Sequence, residues 1–307
     1  MKSLGLDIGC RHTKACDGAN IMSFPTTVTR VTDKDNINVK TCITIDDEKF
    51  YAGNDAKGAF PWYDTRTVDF IGSLPWVAVL GKAIKDCRFD TFRNILVFGV
   101  PAAWYSRVKA VNLVSQLKRK TIIVGNEHRI DLNNLNIGIV PHGYGIFWKY
   151  IMDSKTDYKR FRISVTDIGY HTIDFITIHQ GNYLNNQSKS YPFGISSLLD
   201  MISGEFFEKY KFFISRNRAL DFIAYGRVEM FEQLYEIDNI EDVINKYSKE
   251  VNMIINNYVE NENPDIFISG GGGMYILSRF IKLRKRLAIV NSPEYANAIG
   301  HWHYGTL

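Results

Sequence analysis

The chain has 307 residues, 45% apolar and 23% charged, with a formal net charge of +4. That length exceeds what one hydrophobic core usually organises, so two domains are expected in a globular chain of ordinary composition. A charge of +4 is too small for this size to argue direct DNA binding, and no run approaches the roughly eighteen uninterrupted apolar residues of a membrane helix.

The opening residues run straight into a strand pattern with no signal-peptide core, which points to a cytoplasmic chain with no direct membrane contact. Cys10, Cys16, Cys42 and Cys87 form no CxxC pair and fit free thiols in a reducing compartment. Two basic clusters stand out: Lys159, Arg160 and Arg162, and Arg279 with Lys282, Arg284, Lys285 and Arg286. Each is read as a solvated face, the alternative being a surface for an acidic partner or nucleic acid.

In chain order, residues 3–8, 13–16 and 21–24 are strand-like, with Asp17-Gly18 as the hairpin turn between the latter two. Residues 41–45 and 49–52 form a further candidate hairpin around Asp46-Asp47, and 73–85 a helix. Residues 94–100 read as a buried strand ended by Pro101. Val108, Val111, Val114 and Leu117 then recur at helical spacing, which predicts that this face is buried. Strands at 121–124 and 128–132 bracket Gly125-Asn126, a strong hairpin signal, and 137–140 and 143–152 are the next strand and helix. The polar stretch 153–157 reads as a linker.

Past this linker, the pattern that opens the chain recurs. ISVTDIG at 163–169 matches LGLDIG at 4–9: an apolar strand ends in Asp-Ile-Gly, reaches a threonine (Thr172, Thr13) and returns as a second strand, 173–179 in the later copy. Internal duplication of this kind is a fold-level signal. Two helices come next, one lined by Leu198, Leu199, Ile202, Phe206 and Tyr210, the other by Ile240, Val243, Ile244, Tyr247, Val251, Ile254, Ile255 and Tyr258. Both stripes are read as core. A strand at 265–269 leads into Gly270-Gly271-Gly272-Gly273 and another helix, and SPEYANAIGHWHYG closes the chain as a helix. The expected division is a first domain over 1–155, with a strand-rich subdomain at about 20–93 and helix 293–307 returning to it, and a second domain over 156–292. His301 and His303, with no third ligand in sight, are read as surface or packing residues.

A carboxylate ending a buried strand is either a turn residue or a ligand. Two such turns facing each other suit a nucleoside triphosphate. Backbone N–H groups of glycine turns reach phosphate oxygens that side chains cannot all approach, and magnesium keeps most of its waters while touching one or two carboxylates. Asp7 and Asp167 would hold those waters, the turns at Gly9 and Gly169 would close on the phosphates, and Lys14, seven residues past Asp7, would add a positive charge. The four glycines after a strand would let backbone lie against base or ribose.

The order of these pieces resembles the actin-like ATPase superfamily that also holds sugar kinases and DnaK-type chaperones. LGLDIGCRHTKAC resembles its first phosphate loop, VFGVPAAWY with IVPHGYG its first connecting segment, and ISVTDIGYHTIDFITI its second phosphate loop. DIFISGGGGMYIL resembles its adenosine segment and YANAIGHW its second connecting helix, with small Ala298 and Gly300 where helices cross. Length, the VFGVPAAWY pattern followed by the TIIVGNEHRIDL hairpin, and a short segment from 20 to 93 are similar to plasmid-segregation actins of the ParM type.

The resemblance implies an α/β, duplicated two-domain fold, like that of ribonuclease H, with a nucleotide cleft between the domains. It implies ATP or GTP with Mg2+, and slow hydrolysis stimulated by assembly into a homopolymer. It also implies a DNA-binding adaptor as second partner, with plasmid or other DNA as cargo. Nucleotide contacts then fall to Gly9, Cys10, Thr13, Lys14, Gly169, Tyr170, Thr172, Glu205, Lys209 and Gly270 to Gly273. Asp7 and Asp167 serve the metal through water, and His142, Asp167 and Asp7 serve catalysis. One position departs from the pattern: His142 stands where such proteins usually offer a glutamate or glutamine to the attacking water, a task in which a neutral histidine can accept a hydrogen bond. If it is a spectator, Asp167 orients the water. The alternatives are a small-molecule kinase, which would need a base aspartate and a sugar-binding insert, and a non-catalytic adaptor, which would carry a terminal membrane helix.

Overall fold

The computed structural model describes residues 1–32, 38, 40–56, 63–126, 128–282 and 287–307. Arg284, Lys285 and Arg286 of the second basic cluster and Glu127 of the TIIVGNEHRIDL hairpin lie outside the described residues.

The chain begins with three antiparallel strands, β1 (Ser3–Ile8), β2 (His12–Cys16) and β3 (Ile21–Pro25). β1 is buried along its whole length, as a strand covered on both faces must be. Next come β4 (Val28–Arg30), β5 (Ile43–Ile45), β6 (Glu48–Ala52) and helix α1 (Leu74–Asp86). Ser73 caps α1 by accepting from the Trp76 backbone N–H, with proline in the first turn. β7 (Ile95–Val100) runs parallel to β1.

Helix α2 (Arg107–Leu117) departs from expectation. Ala110, Leu113 and Leu117 are buried, whereas Val108 and Val111 are 70% and 59% exposed and Val114 only half-buried. The expected valine face is therefore not the packed face. A helix whose apolar residues cover two adjacent stripes leaves the choice to tertiary contact, and the stripe holding small Ala110 is the one that packs.

β8 (Thr121–Val124), β9 (His128–Asp131), β10 (Asn136–Pro141) and helix α3 (Tyr144–Ser154) complete the first half. Among the described residues one sheet has the order β10-β7-β1-β2-β3 and a second the order β4-β6-β5-β8-β9, with α1 packed against the second.

The second half opens on β11 (Arg162–Ile168) and β12 (Ile173–His179), followed by β13 (Asn182–Tyr183) and β14 (Lys189–Tyr191). Helix α4 (Ile195–Tyr210) buries Leu198, Leu199, Ile202 and Phe206 as expected. Helix α5 (Arg216–Tyr225) and the hairpin of β15 (Arg227–Met230) and β16 (Gln233–Glu236) were not anticipated. Helix α6 (Ile240–Glu262) buries Val243, Ile244, Tyr247, Val251, Ile255 and Tyr258, while Ile240 and Ile254 are half-buried. β17 (Ile266–Gly270), the short α7 (Gly272–Leu277), β18 (Leu287–Ile289) and α8 (Ala296–Gly305) complete the chain. The sheet order is β13-β12-β11-β17-β18, with β14 beside β12.

The duplication is therefore structural. β1 and β11 each pair antiparallel with the next strand and parallel with a later one, β7 or β17. Helix α8 packs against α3, β1, β2 and β7. It lies so close to α3 that a Cβ on Gly300 would sit 1.7 Å from the Gly145 carbonyl oxygen. Only paired glycines permit that approach.

Candidate functional site

The two Asp-Ile-Gly turns have the same geometry. Gly9 N–H donates to the His12 carbonyl at 3.2 Å, and Gly169 N–H to the Thr172 carbonyl at 2.8 Å. In register, Asp7 faces Lys14 across the first hairpin and Asp167 faces Asp174 across the second. Thr172 thus matches His12, not Thr13. Thr13 is fully buried with its hydroxyl 2.9 Å from that of Thr26, while Thr172 Oγ1 donates to Asp174 Oδ2 at 2.9 Å.

The turns meet at their tips. The Arg11 guanidinium lies over the Tyr170 ring at 5.2 Å, and its Nη2 donates to Asn217 Oδ1 at 3.0 Å. Thr65 Oγ1 donates to the Cys10 carbonyl. Burial, with Asp174 and Asp7 behind it, pushes the Cys10 thiol up to about 11, so it stays protonated. All four cysteines are free.

Asp7 and Asp167 are each 7% exposed. Burial works to raise the Asp7 carboxyl, but the Lys14 ammonium at 3.1 Å, with His142 and His301 nearby, outweighs it and holds the group below its ordinary range. Burial likewise works against the charge on Lys14, and Asp7 overcomes it, so the lysine stays charged. Among the described residues Asp167 has no cation at ion-pair distance, although Lys14 is near enough to feel its charge. Burial first, then Asp7 and Asp174, push it up to about 6 despite His142 and a 2.6 Å hydrogen bond from Asn297 Nδ2.

His142 sits at the end of β10, its backbone N–H donating to the Val100 carbonyl at 2.7 Å. Its Nε2 lies 3.9 Å from Asp7 Oδ1, beyond a direct hydrogen bond, and is buried without a partner among the described residues. The site therefore holds a buried imidazole nitrogen beside one carboxylate, a second carboxylate held above its usual range, and a charged lysine.

The glycine run abuts the second carboxylate. Gly271, at φ +89°, has the position of a Cβ 2.2 Å from Asp167 Oδ1, and those of Gly270 and Gly273 are filled by Ile146 and Ile168. Gly272 alone of the four faces open space. Glu205 and Lys209 lie farther off. α4 starts against the second turn, where Ser196 N–H donates to the Tyr170 carbonyl. Glu205 is ten residues along the helix, about 15 Å at 1.5 Å per residue. Lys209 is engaged with Asp238 Oδ1 at 2.7 Å and the Glu236 carbonyl.

Two residues at the site were not read as functional from sequence, and both come from α8. Asn297 joins the halves: its Oδ1 accepts from Gly143 N–H at 3.1 Å while its amide holds Asp167. His301 is fully buried, its Nδ1–H donating to the Leu6 carbonyl at 2.6 Å, which leaves Nε2 as a bare acceptor without a partner among the described residues. Burial pushes it down to about 4, so it is neutral. The signal that would have found them is their spacing: two polar residues at i and i+4 in a stretch, 296–301, otherwise made of alanine, isoleucine and glycine.

The residues fit a magnesium nucleotide on two observations. Asp167 is strained toward its neutral form in a place where a cation would favour the charged one, and Gly272 leaves backbone bare beside it. Among the described residues no group of three or more His, Cys, Asp or Glu could hold a metal directly. An ion here would meet Asp7 and Asp167 through its waters.

The sequence model described as "Actin like proteins N terminal domain" matches residues 5–145, and that of the archaeal actin homologue MreB-like C-terminal domain matches 165–282. The chain belongs to the actin-like superfamily. Its fold is that of solved relatives over the whole length. Ta0583, an archaeal actin homologue, superposes with a TM-score of 0.82 at 17% identity, covering 100% of this chain and 99% of that one. A ParM from a 15-stranded filament of Clostridium botulinum gives 0.75 at 18% identity, covering 99% of each chain. Bacillus thuringiensis ParM with AMPPNP gives 0.72 at 13%, covering 100% and 98%. Ta0583 has also been solved with ADP. No curated protein matches. Among the described residues of this actin-like chain, no helix is long and apolar enough to cross a membrane.

Proposed function

We propose that this chain is a nucleotide-dependent, filament-forming ATPase that segregates plasmid or other DNA in the cytoplasm through a DNA-binding adaptor. The observation that carries this reading is the pair of matched Asp-Ile-Gly hairpins, tip to tip, with one buried carboxylate on each. The Gly9 and Gly169 N–H groups close the two turns, so the tips that follow them, Cys10 and Tyr170, would offer backbone N–H groups to the phosphates, and Lys14 a fixed positive charge. Asp7 and Asp167 would hold the waters of a magnesium ion, whose charge offsets that of the phosphates when bound. Gly272 would lie against the nucleoside. His142 Nε2 accepts a hydrogen bond from the attacking water and orients it.

Hydrolysis should be slow in the monomer and faster in the polymer, because closing the halves on each other aligns these groups. The kinship with ParM supports filaments and the DNA-segregating role; ATP or GTP would serve.

Negative-stain microscopy with ATP and Mg2+, paired with phosphate release at rising protein concentration, tests the reading. Filaments and a per-molecule rate that climbs with concentration are expected. Monomers that instead phosphorylate a sugar panel would overturn it.

A further inference from the structure

Two exposed apolar surfaces of opposite charge lie on different halves of the chain. The first is at the α4–α5 and β15–β16 end. The Phe207 and Phe213 rings stack at 4.3 Å and 12°, and Phe213 is 70% exposed. Phe231, at the tip of the β15–β16 hairpin, is 81% exposed. Phe231 and Glu232 have φ of 52° and 61°, the left-handed region that side chains other than Gly, Asn and Asp seldom adopt. A hairpin turn built from those favoured residues would relieve that strain, yet here it presents an aromatic ring to solvent. A groove of about 570 Å³ opens beside it between α5 and the hairpin. Residues 200–238, which build this end, carry eight Asp or Glu against five Lys or Arg, a net of −3. Glu205, Glu229 and Glu232 have no ion-pair partner among the described residues.

The second surface is the face of α2 that the packing left out. Val108 and Val111 are exposed one turn apart, and residues 107–120 hold five Lys or Arg and no acid.

We infer that the acidic aromatic end, centred on Phe213 and Phe231, docks on the basic valine face of α2 in a second copy of this chain. The inference rests on the filament reading and names one contact within it. Apolar residues at the middle with opposite charges around them are the make-up of a specific interface. The two surfaces are different patches on one chain, so the contact is heterologous: each copy keeps one of each unused, and the association runs on into a polymer unless its rotation closes a ring.

The test uses three variants and the parent chain, each with ATP and Mg2+, followed by light scattering and microscopy. Phe213→Ser/Phe231→Ser should raise the critical concentration on the order of tenfold or more. Glu229→Lys/Glu232→Lys and Arg107→Glu/Arg119→Glu should each fail to polymerise alone. Mixed at equal amounts, the two should copolymerise, because each reversed surface then meets its complement on the other chain. Unchanged melting temperature and nucleotide affinity in every variant exclude misfolding.

A parent that polymerises alongside variants that do so at the same concentration would overturn the contact and leave the filament reading standing. Charge-reversed variants that stay monomeric even when mixed would overturn it also. A parent that forms no polymer removes both readings.

Discussion

Replacing Asp167 by asparagine should stabilise the nucleotide-free chain while weakening its hold on magnesium nucleotide. In the folded chain the Asp167 carboxyl is pushed from its ordinary 3.8 up to about 6 by burial, with Asp7 and Asp174 adding to it. At 1.36 kcal/mol per pH unit, the charged carboxylate is about 3 kcal/mol less favourable folded than unfolded. Because the folded-state value is the higher one, the folded chain binds more protons between pH 4 and 6. The stability that Asp167 contributes therefore falls as pH rises through that window, and its penalty is complete above about pH 6.

Asp167→Asn removes the charge but keeps an oxygen for the Asn297 amide, which donates to Oδ2. The expected gain at pH 7 is up to about 3 kcal/mol, or roughly 5 °C in Tm if all 307 residues melt together. Below pH 4 the two proteins should melt alike. Scanning calorimetry in EDTA from pH 3.5 to 7.5 measures this, and added Mg2+ and ATP should stabilise the parent more than the variant. A variant that melts at or below the parent at pH 7 would refute the claim that Asp167 carries an uncompensated charge.

His142→Ala should bind nucleotide with unchanged affinity yet release phosphate at least tenfold more slowly, the scale on which a positioned base acts; equal turnover of the two proteins in a coupled phosphate assay removes His142 from the chemistry. The glycine run should split by position. Gly271→Ala, at φ +89° with its Cβ 2.2 Å from Asp167 Oδ1, should cost more than about 2 kcal/mol of stability, whereas Gly272→Ala, facing open space, should fold normally and lose nucleotide affinity, both readable by urea titration and fluorescent-nucleotide binding. His301 is pushed from 6.5 down to about 4, so the stability it confers is complete above pH 6.5 and lost as pH falls through 4, about 3 kcal/mol in all. His301→Asn, which keeps an N–H for the Leu6 carbonyl, should remove this contribution, so that its stability relative to the parent's rises as pH falls from 6.5 to 4, Asp167 titrating alike in both; a difference in urea midpoint between the two proteins that is the same at every pH would count against the assignment.

The hairpins and their aspartates were legible because they are local: a buried strand, an Asp-Ile-Gly turn and a return strand each show in a few residues, and their recurrence at 163–169 fixed the two-half plan. The α2 face was misread because valines at helical spacing look the same whether they meet a sheet or water, and only the packing of Ala110 against its neighbours separates the cases. The α5 helix and the β15–β16 hairpin were missed because their buried aromatics, Phe222 and Tyr235, are interspersed with exposed ones, Tyr225 and Phe231, and give no clean period. Equating Thr13 with Thr172 failed by one place, since pairing follows backbone register and not residue type. Asn297 and His301 show in the sequence only as polar residues one turn apart; the groups they meet, Asp167 and Leu6, lie 130 or more residues away, and helical spacing does not name them.

The duplicated turns are alike in backbone but not in charge. Where one wall sets a lysine opposite its aspartate, the other sets a second acid, Asp174, whose Oδ1 is buried without a partner. The groove is thus electrically lopsided. A guest that bears a tail of negative oxygens and brings its own positive ion would balance both walls in one orientation only, so the difference between the two copies gives an otherwise symmetric frame its sense of direction.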